Sequence, residues 1–113
     1  MYKRQDGSGT QGTSRTLPAA LTRPFGMAVY NERLLIANGS VPDLWEVDPE
    51  GDDGEGTKLR NFPSTLHNPQ SMTVFNGRLF IVPFAGDRLW ELDPDGANTQ
   101  GTSRILLPPW KAQ

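Results

Sequence analysis

Acidic side chains are concentrated in two turn regions of this 113-residue chain. They are Asp48, Glu50, Asp52, Asp53 and Glu55 in the first region, and Asp93 and Asp95 with Asn98 in the second. A calcium loop places oxygen ligands at alternating positions around a glycine. Gly51 and Gly96 come too early for the EF-hand spacing. The pattern therefore indicates solvated turn carboxylates rather than a metal site.

Side chains suited to catalysis are sparse. His67 is the only histidine, and the chain has no cysteine, which excludes disulfides and thiolate chemistry. A lone histidine in a loop is usually polar surface, and no Ser-His-Asp set is anchored by a motif. We therefore expect no enzyme, no cofactor and no metal.

These candidate residues sit within an internal repeat. The octet LWEVDPEG at Leu44–Gly51 recurs as LWELDPDG at Leu89–Gly96, 45 positions later. The same offset runs without a gap from Pro24 and Pro69, and 13 of the 28 aligned positions are identical. Self-similarity at such a period predicts a repeat architecture, with the chain divided into 24–68 and 69–113.

A partial third copy opens the chain. TQGTSR at Thr10–Arg15 is repeated letter for letter at Thr99–Arg104, an offset of 89. Residues 1–23 are therefore predicted to carry an extra outer strand, which we expect to be exchanged between chains. The pattern leaves open which copy of this strand completes a repeat.

Each repeat is predicted to form four short antiparallel strands. Asn76-Gly77 between apolar runs is a strong hairpin signal, whereas Asn31-Glu32 lacks the glycine and predicts a looser turn. The nine predicted strands are Thr10–Leu17, Met27–Tyr30, Arg33–Ala37, Leu44–Val47, Thr57–Phe62, Met72–Phe75, Arg78–Val82, Leu89–Leu92 and Thr102–Leu107. No helical periodicity is present, so the fold class is all-β.

Four strands per period of 40–50 residues are typical of a β-propeller blade. The motif P-x-G-M-A-V-x-N-x-R-L-L-I-A followed by L-W-E-V-D-P-x-G resembles the NHL and YWTD group of repeats, which build mostly six-bladed, TolB-like propellers. The resemblance covers Pro24–Gly51 and Pro69–Gly96. The resemblance implies two blades per chain, and the duplicated TQGTSR adds one extra strand. Because two blades alone would expose two apolar sheet faces, we expect the ring to be completed by oligomerisation.

Two sets of residues are assigned to surfaces on this basis. Residues predicted to pack between blades are Trp45, Trp90, Leu44, Leu89, Met27 and Met72. The tryptophans are also suited to stacking on a sugar, as in propeller lectins. Connections on one rim differ between the copies, and variable loops often bind ligands. Candidate ligand or interface residues there are Val41, Phe84, Leu66, His67 and Trp110.

Three functions follow as hypotheses. The first is a repeat fragment that self-assembles into a closed homo-oligomeric propeller, with a trimer giving six blades favoured and other ring sizes, such as four chains giving eight blades, left open. The second is a lectin-like or protein-binding module, and the third is a metal-dependent lactonase-type hydrolase. A net charge of −2 gives no excess of basic side chains that would indicate binding to nucleic acid or to an anionic membrane. We expect a soluble chain without a signal peptide, of unassigned cellular location.

Overall fold

The computed structural model describes residues 9–39, 42–84 and 87–106, which contain eight strands and no helix. The strands form two four-stranded antiparallel sheets, each in chain order, and the predicted all-β class is confirmed. Sheet 1 comprises β1 (Pro24–Tyr30), β2 (Arg33–Asn38), β3 (Asp43–Val47) and β4 (Thr57–Asn61). Sheet 2 comprises β5 (Pro69–Phe75), β6 (Arg78–Pro83), β7 (Arg88–Leu92) and β8 (Thr102–Ile105).

The first hairpin of each sheet has a two-residue turn. Tyr30 pairs with Arg33 in sheet 1, as Phe75 pairs with Arg78 in sheet 2. Asn31 and Glu32 adopt φ values of 49° and 64°, and Asn76 and Gly77 adopt 53° and 71°. The looser turn predicted for Asn31-Glu32 is therefore wrong. Pairing of the flanking strands holds Glu32 in a conformation that glycine adopts more easily.

The described part of the amino-terminal segment contains no strand. The prediction of a strand at Thr10–Leu17 is wrong for the single chain. The described segment contacts the turn between β3 and β4 instead, where the NH of Gly54 donates to the carbonyl oxygen of Thr16 at 2.8 Å. The last strand ends at Ile105 rather than Leu107, which lies outside the described residues. Other strand bounds differ by one to three residues, the largest difference being that β1 and β5 begin at Pro24 and Pro69.

Each sheet has two faces because side chains alternate along its strands. We call one face the front, and it carries Met27, Val29, Ile36, Trp45 and Val47 in sheet 1 and Met72, Val74, Ile81, Trp90 and Leu92 in sheet 2. The opposite, back face carries Ala28, Leu35, Ala37 and Leu44 in sheet 1 and Thr73, Phe80, Val82 and Leu89 in sheet 2.

The main core lies between the back face of sheet 1 and the front face of sheet 2. Leu35, Ala37 and Leu44 from sheet 1 are fully buried there, with Leu79 and Ile81 from sheet 2. The two innermost strands come close together: a Cβ on Gly26 would lie 3.2 Å from the carbonyl oxygen of Gln70. A larger residue at position 26 would push the sheets apart, so the glycine permits their packing.

A smaller core lies on the front face of sheet 1. Leu21 packs there with Ile36, Trp45 and Val47, and Leu17 lies against the cluster. The amino-terminal segment thus covers the part of this face that β2 and β3 form. No helix in the described ranges is long and apolar enough to cross a bilayer.

Candidate assembly surfaces

The part of the front face of sheet 1 that β1 forms is exposed. Met27 is 62% exposed and Val29 is 64% exposed. Their counterparts 45 residues later belong to the main core, where Met72 is 9% exposed and Val74 is partly buried. The same residue types therefore form a covered face in one sheet and an uncovered face in the other.

The back face of sheet 2 is open in the same way. Phe75 is 63% exposed, whereas its counterpart Tyr30 packs against the main core. Val82 is 39% exposed, whereas its counterpart Ala37 is fully buried. A depression of about 570 Å³ lies on this face, and its lining includes Thr73, Phe75, Arg78, Phe80, Leu89 and Glu91. Among the described residues, each end of the two-sheet stack therefore presents exposed apolar side chains.

Residues 15–23 repeat the path of residues 60–68. The backbone NH of Thr16 donates to Asp53 Oδ1 at 2.8 Å, and the NH of Asn61 donates to Asn98 Oδ1 at 2.8 Å. Likewise, the NH of Leu21 donates to the carbonyl oxygen of Pro18 at 2.9 Å, and the NH of Leu66 donates to that of Pro63 at 2.9 Å. The amino-terminal segment thus occupies on sheet 1 the place that the sheet-to-sheet connection occupies on sheet 2.

Two arginines anchor these equivalent segments. Arg60, 1% exposed, donates to the carbonyl oxygens of Asp93 at 2.8 Å and of Gln100. Burial of its guanidinium lowers the pKa of Arg60 from its ordinary value, although the charge is kept. Arg15 donates to the carbonyl oxygens of Gly51 at 3.0 Å and Glu55 at 3.1 Å. Each arginine therefore ties the start of a connection to the turn after a third strand.

The sequence interpretation missed this equivalence. The connections containing Leu21 and Leu66 differ in most letters, so they were assigned to a variable rim. The detectable signal was the pattern R-x-[L/F]-P-x-x-L, present at residues 15–21 and 60–66. The structure corrects the placement of Leu66, which is fully buried in the main core and offers no side chain to a ligand.

Two of the other candidate rim residues lie within the described ranges, and the NH of Phe84 donates to the carbonyl oxygen of Asn68, next to His67, at 2.8 Å. His67 is exposed, and Phe84 is 71% exposed at the end of β6. Val41 and Trp110 lie outside the described residues.

The residues predicted to pack between blades occupy different environments. Trp90 belongs to the main core, and Leu44 is fully buried in it. Trp45 instead packs under the amino-terminal segment, and its Nε1 donates to Asp43 Oδ1 at 2.8 Å. Met72 lies in the main core, Leu89 is half-buried, and Met27 is exposed on the open front face.

Several turn carboxylates bind the protein's own backbone rather than only solvent. The NH groups of Glu50 and Asp95 donate to the Oδ1 atoms of Asp48 and Asp93, each at 2.9 Å. Asp53 also holds the amino-terminal segment, as described above. Within the described ranges, no group of three or more His, Cys, Asp or Glu side chains is arranged to hold a metal ion.

One ion pair joins the two sheets directly. Arg33 Nη1 donates to Asp95 Oδ2 at 3.0 Å, and its Nη2 donates to Asp95 Oδ1 at 3.0 Å. Arg33 also donates from Nε to Glu46 Oε1 at 3.1 Å. These bonds raise the pKa of Arg33 above its ordinary value and lower the pKa of Asp95 below its own.

No family model, no curated protein and no solved structure matches this chain.

Proposed function

We propose that this chain is a two-blade unit that assembles head to tail with copies of itself into a closed β-propeller, without catalytic activity of its own. One observation carries the proposal. The interface between the two sheets pairs a back face with a front face, and a second front face and a second back face are exposed at the two ends of the stack. The front face of sheet 1 repeats the front face of sheet 2. The back face of sheet 2 repeats the positions of the back face of sheet 1.

The chemistry of the two open faces fits a second copy. Met27 and Val29 on the front face match the core residues Met72 and Val74 in type. Apolar patches of this kind are rarely left in water by a soluble monomer. The internal interface already pairs a front face with a back face, and a contact between chains would repeat this arrangement.

The amino-terminal segment supports the same arrangement. Residues 15–23 lie on sheet 1 as though they had arrived from a preceding blade, because residues 60–68 do arrive on sheet 2 from β4. Residues 10–14, which repeat 99–103, would then run where the fourth strand of the preceding blade belongs. We therefore propose that they take the place of β8 at the edge of sheet 2 in the neighbouring copy, so that a strand from another chain covers this edge.

Head-to-tail contact between identical chains is heterologous, so it closes into a ring or continues as a filament. Three chains would give six blades, the commonest number in the repeats that this sequence resembles. The ring also satisfies the need of repeat units for neighbours on both sides.

Light scattering coupled to size exclusion tests this proposal. The wild-type chain should elute at about three times its mass of 12.5 kDa. Val29→Glu and Phe75→Glu should each prevent closure, since a carboxylate would be buried at the contact. Both side chains are more than 60% exposed in the single chain, so the variants should still fold.

Ser64→Glu is the matched control because it adds the same charge at an exposed position in the connection between the sheets. It should assemble as the wild type does. A wild-type chain that remains monomeric at micromolar concentration would contradict the proposal. So would rings that form unchanged in both face variants.

A further inference from the structure

The sheet-to-sheet ion pair has a repeat-related counterpart that is incomplete within one chain. Arg33 at the start of β2 binds Glu46 on its own sheet and Asp95 in the turn after β7. Arg78 starts β6 in the same way, and it donates to Glu91 twice, at 2.7 Å from both Nε and Nη2. Glu91 stands 45 residues after Glu46, so two members of the set are repeated.

The third member should come from the turn that follows the next third strand. Asp95 lies in D-P-D-G, and the residue 45 positions earlier is Glu50 in D-P-E-G. The two turns have the same conformation, because the Gly51 and Gly96 NH groups donate to the carbonyl oxygens of Asp48 and Asp93, each at 2.9 Å. Glu50 is exposed and keeps the carboxylate on a side chain one methylene longer.

The exposure of the two arginines fits this assignment. The Arg33 side chain is 25% exposed, whereas the Arg78 side chain is 54% exposed. Arg78 lines the depression on the open back face, and its guanidinium lies 5.2 Å from the centre of the Phe80 ring. The guanidinium is therefore held at the surface that a following copy would cover.

Resting on the proposed head-to-tail assembly, we infer that Arg78 of one copy binds Glu50 of the following copy, reproducing the set formed by Arg33, Glu46 and Asp95. Each contact between chains then carries one such pair. A two-oxygen carboxylate suits the planar guanidinium, and a like charge at either position is repelled. The ion pair therefore fixes how the front face of sheet 1 in one copy is aligned on the back face of sheet 2 in its neighbour.

Charge reversal tests the assignment by the concentration at which rings dissociate. Arg78→Glu and Glu50→Arg should each weaken association tenfold or more, and the double variant should return it to within about threefold of wild type. The losses should shrink at high salt, as expected for charged side chains near a surface. Asp87→Arg is the matched control for Glu50→Arg, since it makes the same charge change at an exposed position just before β7.

The possible results are distinct. Rings that form normally in both single variants would overturn the pair while leaving the assembly intact, as would a double variant that stays as weak as the singles. A monomeric wild type would overturn the assembly itself. As a second measurement, mixed Arg78→Cys and Glu50→Cys chains should be joined by a short bismaleimide crosslinker, and absence of the joined product in intact rings would overturn the pair.

Discussion

At the scale of single residues, buried guanidinium groups organise the connections. Arg60 is almost fully buried and Arg15 is only partly so, yet both donate to carbonyl oxygens of an acidic turn that follows a third strand later in the chain. An arginine suits this task because its five donors lie in one rigid plane and its charge persists on burial. The carbonyl oxygens of the turns rich in aspartate and glycine thus bind the arginines that begin residues 15–23 and 60–68.

We expect Arg60→Met to lower the free energy of unfolding by about 1.5–3 kcal/mol, the range for hydrogen bonds to charged groups. Arg15→Met should cost less, because solvent reaches the carbonyl oxygens that it leaves. Urea unfolding of the two variants measures both values. Equal losses would show that the two connections are equally buried in solution, contrary to the single-chain structure.

Asp95 should give stability a specific dependence on pH. Its hydrogen bonds from Arg33 lower its folded pKa below the ordinary value of 3.8. The resulting stability is present above the unfolded pKa and is lost as the pH falls through the folded pKa. The side chain is 57% exposed, so solvent screening keeps the contribution within about 1 kcal/mol.

Asp95→Asn should therefore be less stable than wild type at pH 7, and the difference should narrow as the pH falls below about 3.8. Urea titrations across this range measure it. Glu32→Gln is a suitable control, since Glu32 is exposed in a hairpin turn. A constant difference from pH 7 down to the acid limit would show that Asp95 acts through packing rather than charge.

At the scale of elements, local signals predicted the strands well. Asn76-Gly77 and the two D-P-x-G turns located hairpins because their preferred backbone conformations are local properties. The amino-terminal segment was assigned wrongly because its letters match a fourth strand, whereas strand formation also needs a partner strand beside it. Leu66 was misplaced because a connection rich in polar letters gives little indication of a buried side chain three residues after a proline.

The duplicated strand gives a testable consequence. Glu91 on β7 is opposite Thr102 on β8, and Thr13 precedes Thr102 by 89 residues. If residues 10–14 replace β8 of the neighbour, Thr13→Cys with Glu91→Cys should form disulfides between chains. Because the chain has no native cysteine, multiples of the chain mass on a non-reducing gel report this directly.

Thr102→Cys with Glu91→Cys is the matched control. In assembled rings it should form little disulfide, because β8 would have left its place. A disulfide within single chains for this control, together with none between chains for the first variant, would show that β8 completes its own sheet. Assembly would then depend on the faces alone.

At the scale of the whole molecule, the chain is a stack of two similar sheets with different ends. The contact between such ends is directional: each copy offers one front face and one back face. A symmetric dimer would instead join two identical faces. The two arrangements make opposite predictions for mixtures of variants that each lack one face.

A chain with Val29→Glu keeps only its back face, and a chain with Phe75→Glu keeps only its front face. Mixed in equal amounts, they should form a dimer with one chain of each kind and grow no further, since both remaining ends carry a carboxylate that contact would bury. Light scattering gives the mass, and native mass spectrometry gives the composition if the two chains are isotopically distinct. A dimer formed by either variant alone would indicate symmetric contact and contradict directional closure. Assemblies larger than the mixed dimer would show that these carboxylates do not block the contact. The contact between chains would then be formed by surfaces that do not include Val29 and Phe75.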